Sequence, residues 1–553
     1  MRPVRFCLQT GILFFCLLSP ASAVTNSVGK PLPPDAAPPA QQVFRYIHGS
    51  EPSSYDVSVA LYEAQGAVCL FERLTMLNEN LEIVPGAAAR WEMSPDGRRW
   101  TFHLRPGAKW SDGRPVTAHD FEYSYKRFLD PAVGSVYAFF YYEIKGAKAY
   151  NQGKVKDSST VGVKALNDLT LVIETEKPCP YLPFIVAFSG SSPVPRWQVE
   201  KYGKKWSDAG TFVSNSSYVL TEWRKGQRAV LSLNKYYNGP YKGYLEKIIQ
   251  LFTAGSPGAV GTLPYENNEV DWQTVAVTDV ARIEKAPVLK TQLVRYAFPD
   301  SWFLIFQTRK PPFNSLKVRQ AISHAIDRET LCRTALRGIA IPAYSMLPPN
   351  FPGSTSAQLK SVQAYNPALA KKLLAEAGYP NGAGFPRQDL WVGNASPAQN
   401  ILTQAIQTML KTTLGITLTI KASEDKVYRD NLYKMEIPIG LGGFNADYPD
   451  PNNLLAMVWH SQPIGYGRQD WKNPVFDRLV DAAAFEMNPA KRMKLYADAE
   501  RTLVEDVGGV FLVHSLTIEL RKPWLKGLKM NKYGYSFFTW IGTVHTQMYI
   551  GKR

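Results

Sequence analysis

Cysteine is scarce in this 553-residue chain: five in all, with Cys7 and Cys16 inside the first 23 residues. The others, Cys69, Cys179 and Cys332, are too few for a disulfide scaffold and too far apart for a metal motif. They are compatible with one disulfide plus a free thiol, or with three isolated thiols. Catalytic signatures are missing as well. There is no HExxH, and Ser189-Gly190-Ser191-Ser192 lacks the flanking glycines of GxSxG. The glycines at 255, 258 and 261, and those at 440 and 442, have neither dinucleotide spacing nor a phosphate lysine. Asp447, Asp450, Asn452 and Asn453 are calcium-type ligands, but Pro449 and Pro451 interrupt them. Val458 stands where the bidentate acid belongs. His48, His103, His119, His324, His460, His514 and His545 are scattered. No metal, no cofactor and no enzymatic activity are expected. Lys/Arg runs of the kind that track phosphates are also absent, so no nucleic-acid partner is expected.

Long apolar runs are lacking too. Residues 11–18 (GILFFCLL) are too short to span a bilayer. With Arg2 and Arg5 before them and Ala21-Ser22-Ala23 after, they read as a cleavable signal peptide over 1–23. An exported periplasmic protein is the expectation. Removing those two arginines from 63 basic and 47 acidic residues leaves a net charge of about +14, spread over the surface. Residues 24–42 are rich in proline and alanine and read as a disordered lead-in.

What is present is a large, aromatic-rich (12%) chain with ordinary apolar (45%) and charged (20%) content. The pattern predicts strands at 100–104, 169–174, 229–233 and 416–421. Helix starts are marked by Asn314, Asn366-Pro367, Ser396-Pro397, Asn473-Pro474 and Asn488-Pro489, a capping side chain followed in most cases by proline at the first turn. Alternating helices and strands predict α/β lobes with mixed sheets. Residues 442–451 (GGFNADYPDP) stand out. They place carboxylates among small and aromatic residues between two apolar stretches, and such a carboxylate can grip a positive group on a ligand.

Several stretches resemble the extracytoplasmic solute-binding proteins of peptide ABC importers, closest to the oligopeptide-binding branch. Trp100-Thr101-Phe102-His103-Leu104, then Trp110-Ser111-Asp112-Gly113-Arg114-Pro115-Val116-Thr117-Ala118-His119-Asp120-Phe121, carry the most specific match. Pro193-Val194-Pro195, Pro312-Phe313-Asn314, Lys372-Leu373-Leu374-Ala375-Glu376-Ala377-Gly378-Tyr379 and Lys522-Pro523-Trp524 add to it.

The resemblance implies a two-lobed periplasmic binding protein with an additional small domain and a ligand cleft at the hinge. Its divisions fall at 43–71, 196–299 and 520–553 for a discontinuous first lobe, 72–195 for the small domain and 300–519 for the second lobe. It implies a monomer that captures extended oligopeptides and serves an inner-membrane permease. In Ala446-Asp447-Tyr448 it makes Asp447 the anchor for a peptide α-ammonium. Gly443 and Asn445 would offer main chain, Phe444 would wall a side-chain pocket, and Tyr137, Glu63 and His514 would face the ligand. Some expected groups are replaced. A disulfide common in that branch falls on Asp300 and Asn445, and two carboxylate-binding arginines fall on Leu432 and Leu441. A non-standard ligand therefore remains an alternative: a murein-type peptide, a nickel chelate, haem or a sugar-linked compound.

Overall fold

The computed structural model describes residues 24–60, 67–254, 260–393, 396–461, 470–536 and 543–553. The expected signal peptide and Glu63 lie outside them.

The described chain builds two α/β lobes on one winding sheet. It opens with β1 (Val43–Gly49), then forms a separate four-stranded antiparallel sheet from β2 (Ala88–Met93), β3 (Arg99–Leu104), β4 (Val163–Asn167) and β5 (Thr170–Glu174). It returns beside β1 with β6 (Tyr218–Arg224), β7 (Arg228–Leu233), β8 (Lys247–Phe252) and β9 (Trp272–Thr274). After β10 (Leu293–Ala297) it crosses into the second lobe. There it adds β11 (Asp300–Phe306), β12 (Ala340–Pro342), β13 (Gln388–Gly393), β14 (Leu418–Ser423) and β15 (Ile439–Asn445). The last long strand, β16 (Val510–Arg521), returns. Its first half pairs with β11 and β12, and its second half with β10 and β9. One strand thus carries the sheet from one lobe to the other.

Four helices begin where the capping residues predict. The Asn366, Ser396, Asn473 and Asn488 side chains accept backbone N–H groups at the starts of Pro367–Glu376, Pro397–Leu414, Pro474–Phe485 and Pro489–Glu505. Asn314 does not cap. The helix after it spans Leu316–Ala325 from Ser315, and its face of Val318, Ala321, Ile322 and Ala325 is buried as the spacing predicts.

The cores follow the same partition. One apolar cluster gathers residues from Ala37 to Phe298 and from Leu525 to Ile550. Two others line opposite faces of the second-lobe sheet. Tyr448 of the second lobe inserts into the first cluster.

Residues 24–42 correct the expectation of a disordered lead-in. Ala37 is buried, the Asn26 amide donates to the Gly243 carbonyl at 2.8 Å, and the Gln42 amide donates to Ala37 and Ile550 carbonyls at 2.7 and 2.8 Å. A proline-rich segment has few amide donors of its own to satisfy. Here side-chain amides and the C-terminal residues supply the hydrogen bonds that regular structure would have given.

Candidate functional site

The site starts from a glycine run. On β15 a Cβ added at Gly442 would come within 2.9 Å of Phe303, and one at Gly443 within 2.7 Å of Trp302. Both aromatics lie on the neighbouring β11, so only glycine lets the two backbones pair with the rings between them. β11 accompanies β15 along its whole length, whereas β13 meets it only at Ile439 and Gly440.

The chain then leaves the sheet. Ala446 N–H donates to the Pro299 carbonyl at 2.8 Å, beside the crossover between lobes. Asp447 follows in a bend. Its N–H donates to Asn453 Oδ1 at 2.7 Å, and Asn453 Nδ2 donates back to Asp447 Oδ2 at 3.0 Å. The Tyr137 hydroxyl donates to Asp447 Oδ1 at 2.8 Å from the other side of the seam. Tyr137 is itself buried and stacks on Phe188, ring centroids 5.4 Å apart.

Two further contacts fix this segment against the small-sheet region. The Tyr448 ring meets Phe140 edge-on at 5.6 Å and stacks on Phe184 at 6.3 Å. Asp450 and Arg492 form a buried two-point ion pair at 2.6 and 2.7 Å, with the guanidinium 5.6 Å from the Tyr181 ring. Reading the sequence alone missed Asn453, Asp450 and Arg492 as a supporting set. The Asn453 offset from Asp447 was visible, but it suggested a cation loop. Asp450 is instead neutralised by the arginine.

Asp300 and Asn445 stand opposite each other on β11 and β15. Asn445 is exposed, whereas Asp300 is 3% exposed. The Asp300 carboxylate accepts from Ser515 N–H at 2.7 Å, Ser515 Oγ at 2.6 Å and Trp302 Nε1 at 3.0 Å. Burial pushes its pKa up to about 6, against those hydrogen bonds.

His514 is fully enclosed. Its Nδ1 lies 2.8 Å from the Asp300 carbonyl and 2.9 Å from Ser301 Oγ. A carbonyl only accepts, so Nδ1 carries the proton. Burial pushes the ring's pKa down to about 4, so it is neutral. It therefore serves the sheet interior rather than an open surface. Phe444 is 8% exposed and belongs to the apolar cluster on one face of the second-lobe sheet. It was expected to wall a side-chain pocket. Leu432 and Leu441 are buried in the second-lobe clusters. Cys69, Cys179 and Cys332 are buried thiols, none bonded to another.

Among the described residues no helix is long and apolar enough to cross a membrane, and no group of three His, Cys, Asp or Glu side chains could hold a metal.

Two lobes sharing a crossover strand, with an oriented carboxylate at the seam, define a two-lobed binding protein of the periplasmic type. The chain belongs to the bacterial extracellular solute-binding proteins, family 5, whose family model matches residues 82–466. It is 31% identical to the periplasmic oligopeptide-binding protein OppA of Escherichia coli (strain K12) over 83% of this chain and 84% of that one. It is 30% identical to a protein of the same organism named as a probable deoxycholate-binding periplasmic protein, YgiS, over 90% of this chain and 93% of the other. Its fold matches the solved Escherichia coli murein tripeptide binding protein MppA with a TM-score of 0.76 and 29% identity, covering 92% of this chain and 99% of that one.

Proposed function

We propose that this chain is the periplasmic substrate-binding component of an ABC importer. It captures extended oligopeptides by their free amino terminus and delivers them to an inner-membrane permease. In this reading it is a monomeric receptor without catalysis or cofactor, exported by its signal peptide. The observation that carries it is the Asp447 carboxylate. Tyr137 from one side of the seam and Asn453 from the other orient it through hydrogen bonds from a hydroxyl and an amide. A peptide ammonium meets that carboxylate through a charge-assisted hydrogen bond.

Gly443 and Asn445 offer main chain to a ligand lying alongside β15, a mode indifferent to side-chain identity. Glu63, outside the described residues, belongs to the same reading as a ligand-facing residue. The division into 43–71, 196–299 and 520–553, then 72–195, then 300–519, belongs to the same reading. It is supported by the changeover of partners along β16. Relatives named for oligopeptide and murein tripeptide binding support a peptide ligand.

Calorimetry with short peptides and their N-acetylated forms tests it: free amino termini bind and acetylated ones do not. A second reading, a non-peptide ligand in the same cleft, is favoured by the buried Leu432 and Leu441 where carboxylate-binding arginines were expected. The similarity to a probable deoxycholate-binding protein points the same way. Native mass spectrometry separates the two readings by the mass that co-purifies.

A further inference from the structure

The peptide anchor sits at the end of a strand whose floor is set by a side chain from elsewhere. Trp302 is the register partner of Gly443, and its ring lies against that glycine. Its indole N–H donates to Asp300 Oδ2 at 3.0 Å and lies 3.3 Å from Ser515 Oγ. Ser515 belongs to β16, the strand shared by both lobes, and its N–H and hydroxyl also bind Asp300. On the other flank, Phe298 N–H donates to the Ser515 carbonyl at 2.9 Å, so both chain crossings between lobes meet here. Asp300 is therefore the acceptor common to β11, β16 and the indole under the glycine run.

We propose that Asp300 is a positioning residue for the ligand site. Its buried carboxylate ties the crossover strand β16 to β11 and holds Trp302 against the strand that carries Asp447. Ligand affinity is thereby set by the ionisation of a side chain that is not itself the ligand's anchor. The inference rests on the peptide reading above.

The titratable neighbours of Asp300 are His514 on β16, Tyr535 of the C-terminal segment and, beyond Asn445 on the β15 side, Asp447. Tyr535 feels the Asp300 charge, which with burial raises its own pKa further above the ordinary tyrosine value. His514 changes charge only near about 4. Asp300, at about 6, changes charge between about pH 5 and 7. When it takes up a proton, that proton occupies an oxygen that had accepted. Oδ2 accepts from both Ser515 Oγ and Trp302 Nε1, and a proton there turns toward the serine hydroxyl, which can itself accept. The indole then loses its charged acceptor and keeps only the longer contact to Ser515.

The test is calorimetry of trialanine binding at about pH 5, 6 and 7, on the wild-type protein and on Asp300→Asn. The wild type is expected to lose affinity several-fold on acidification, with a midpoint near 6. Asp300→Asn is expected to bind at the weaker, acid-form level at every pH. Trp302→Phe should flatten the profile as well. Ser515→Ala, which removes one hydrogen bond to the ionised form, should move the midpoint to higher pH. Should Asp300→Asn not fold, this shift decides. A flat wild-type profile overturns the inference while leaving the peptide reading intact, and so does an Asp300→Asn profile that follows the wild type or an unmoved Ser515→Ala midpoint. No binding of free peptides at any pH overturns the peptide reading, and this inference with it.

Discussion

The carboxylate of Asp447 takes its meaning from its neighbours. Small residues before it and aromatics around it were legible in the sequence, because they are contiguous. The family resemblance placed Tyr137 near the ligand, but its bond to Asp447, 310 positions away, was not legible, nor was the Asp450–Arg492 pair, which spans 42. Local reading sees residue types, and only the fold sees which ones meet. Tyr137→Phe removes a neutral hydrogen bond to a charged group. Peptide affinity should fall by about 1–3 kcal/mol with no loss of folding, as calorimetry alongside thermal melts would show. Arg492→Met leaves Asp450 buried without its cation. It should lower unfolding free energy by about 3–5 kcal/mol in urea titration, far more than loss of a surface pair.

Strands and helices were readable where a single local cause dominates. Asn-Pro and Ser-Pro starts gave four helix N-termini, because capping and a pre-set φ act on the residues themselves. Asn314 gave no cap: the N-cap position falls one residue later, at Ser315, whose side chain makes no capping hydrogen bond either. The burial of Phe444 has a cause that is not local either. The pleat, which depends on pairing with β11, decides which way a strand residue points. The glycines of β15 carry an element-level prediction. Gly443→Ala drives a methyl group into Trp302. It should cost about 1–3 kcal/mol of stability and weaken peptide binding together.

At the scale of the molecule, β16 makes the lobes one sheet, and the docked residues 24–42 tie the chain's start to its end. Composition hid that docking, since proline and alanine also suit disordered tethers. Buried Asp300 and His514 contribute to the response to acid with opposite signs. A carboxylate raised to about 6 contributes stability that is full below the unfolded value of 3.8 and lost as pH rises through 6. A histidine lowered from 6.5 to about 4 does the reverse, losing stability as pH falls through that window. The two nearly cancel between about pH 4 and 6. Asp300→Asn leaves the histidine uncompensated, so that variant's melting temperature should drop steeply on acidification across the window. The free energy involved is about 3 kcal/mol, and scanning calorimetry against the wild type reads it.

Capture of a peptide by its amino terminus is the central claim, and one comparison tests it most directly. Calorimetric titration of a short peptide and its N-acetylated twin into the wild-type protein and into Asp447→Asn isolates the ammonium–carboxylate pair. The account predicts nanomolar-to-micromolar binding of the free peptide to the wild type, on the order of −8 to −12 kcal/mol. It predicts a loss of several kcal/mol on acetylation or on Asp447→Asn, and little further loss when both are combined. Equal affinity for the free and acetylated peptides would contradict it.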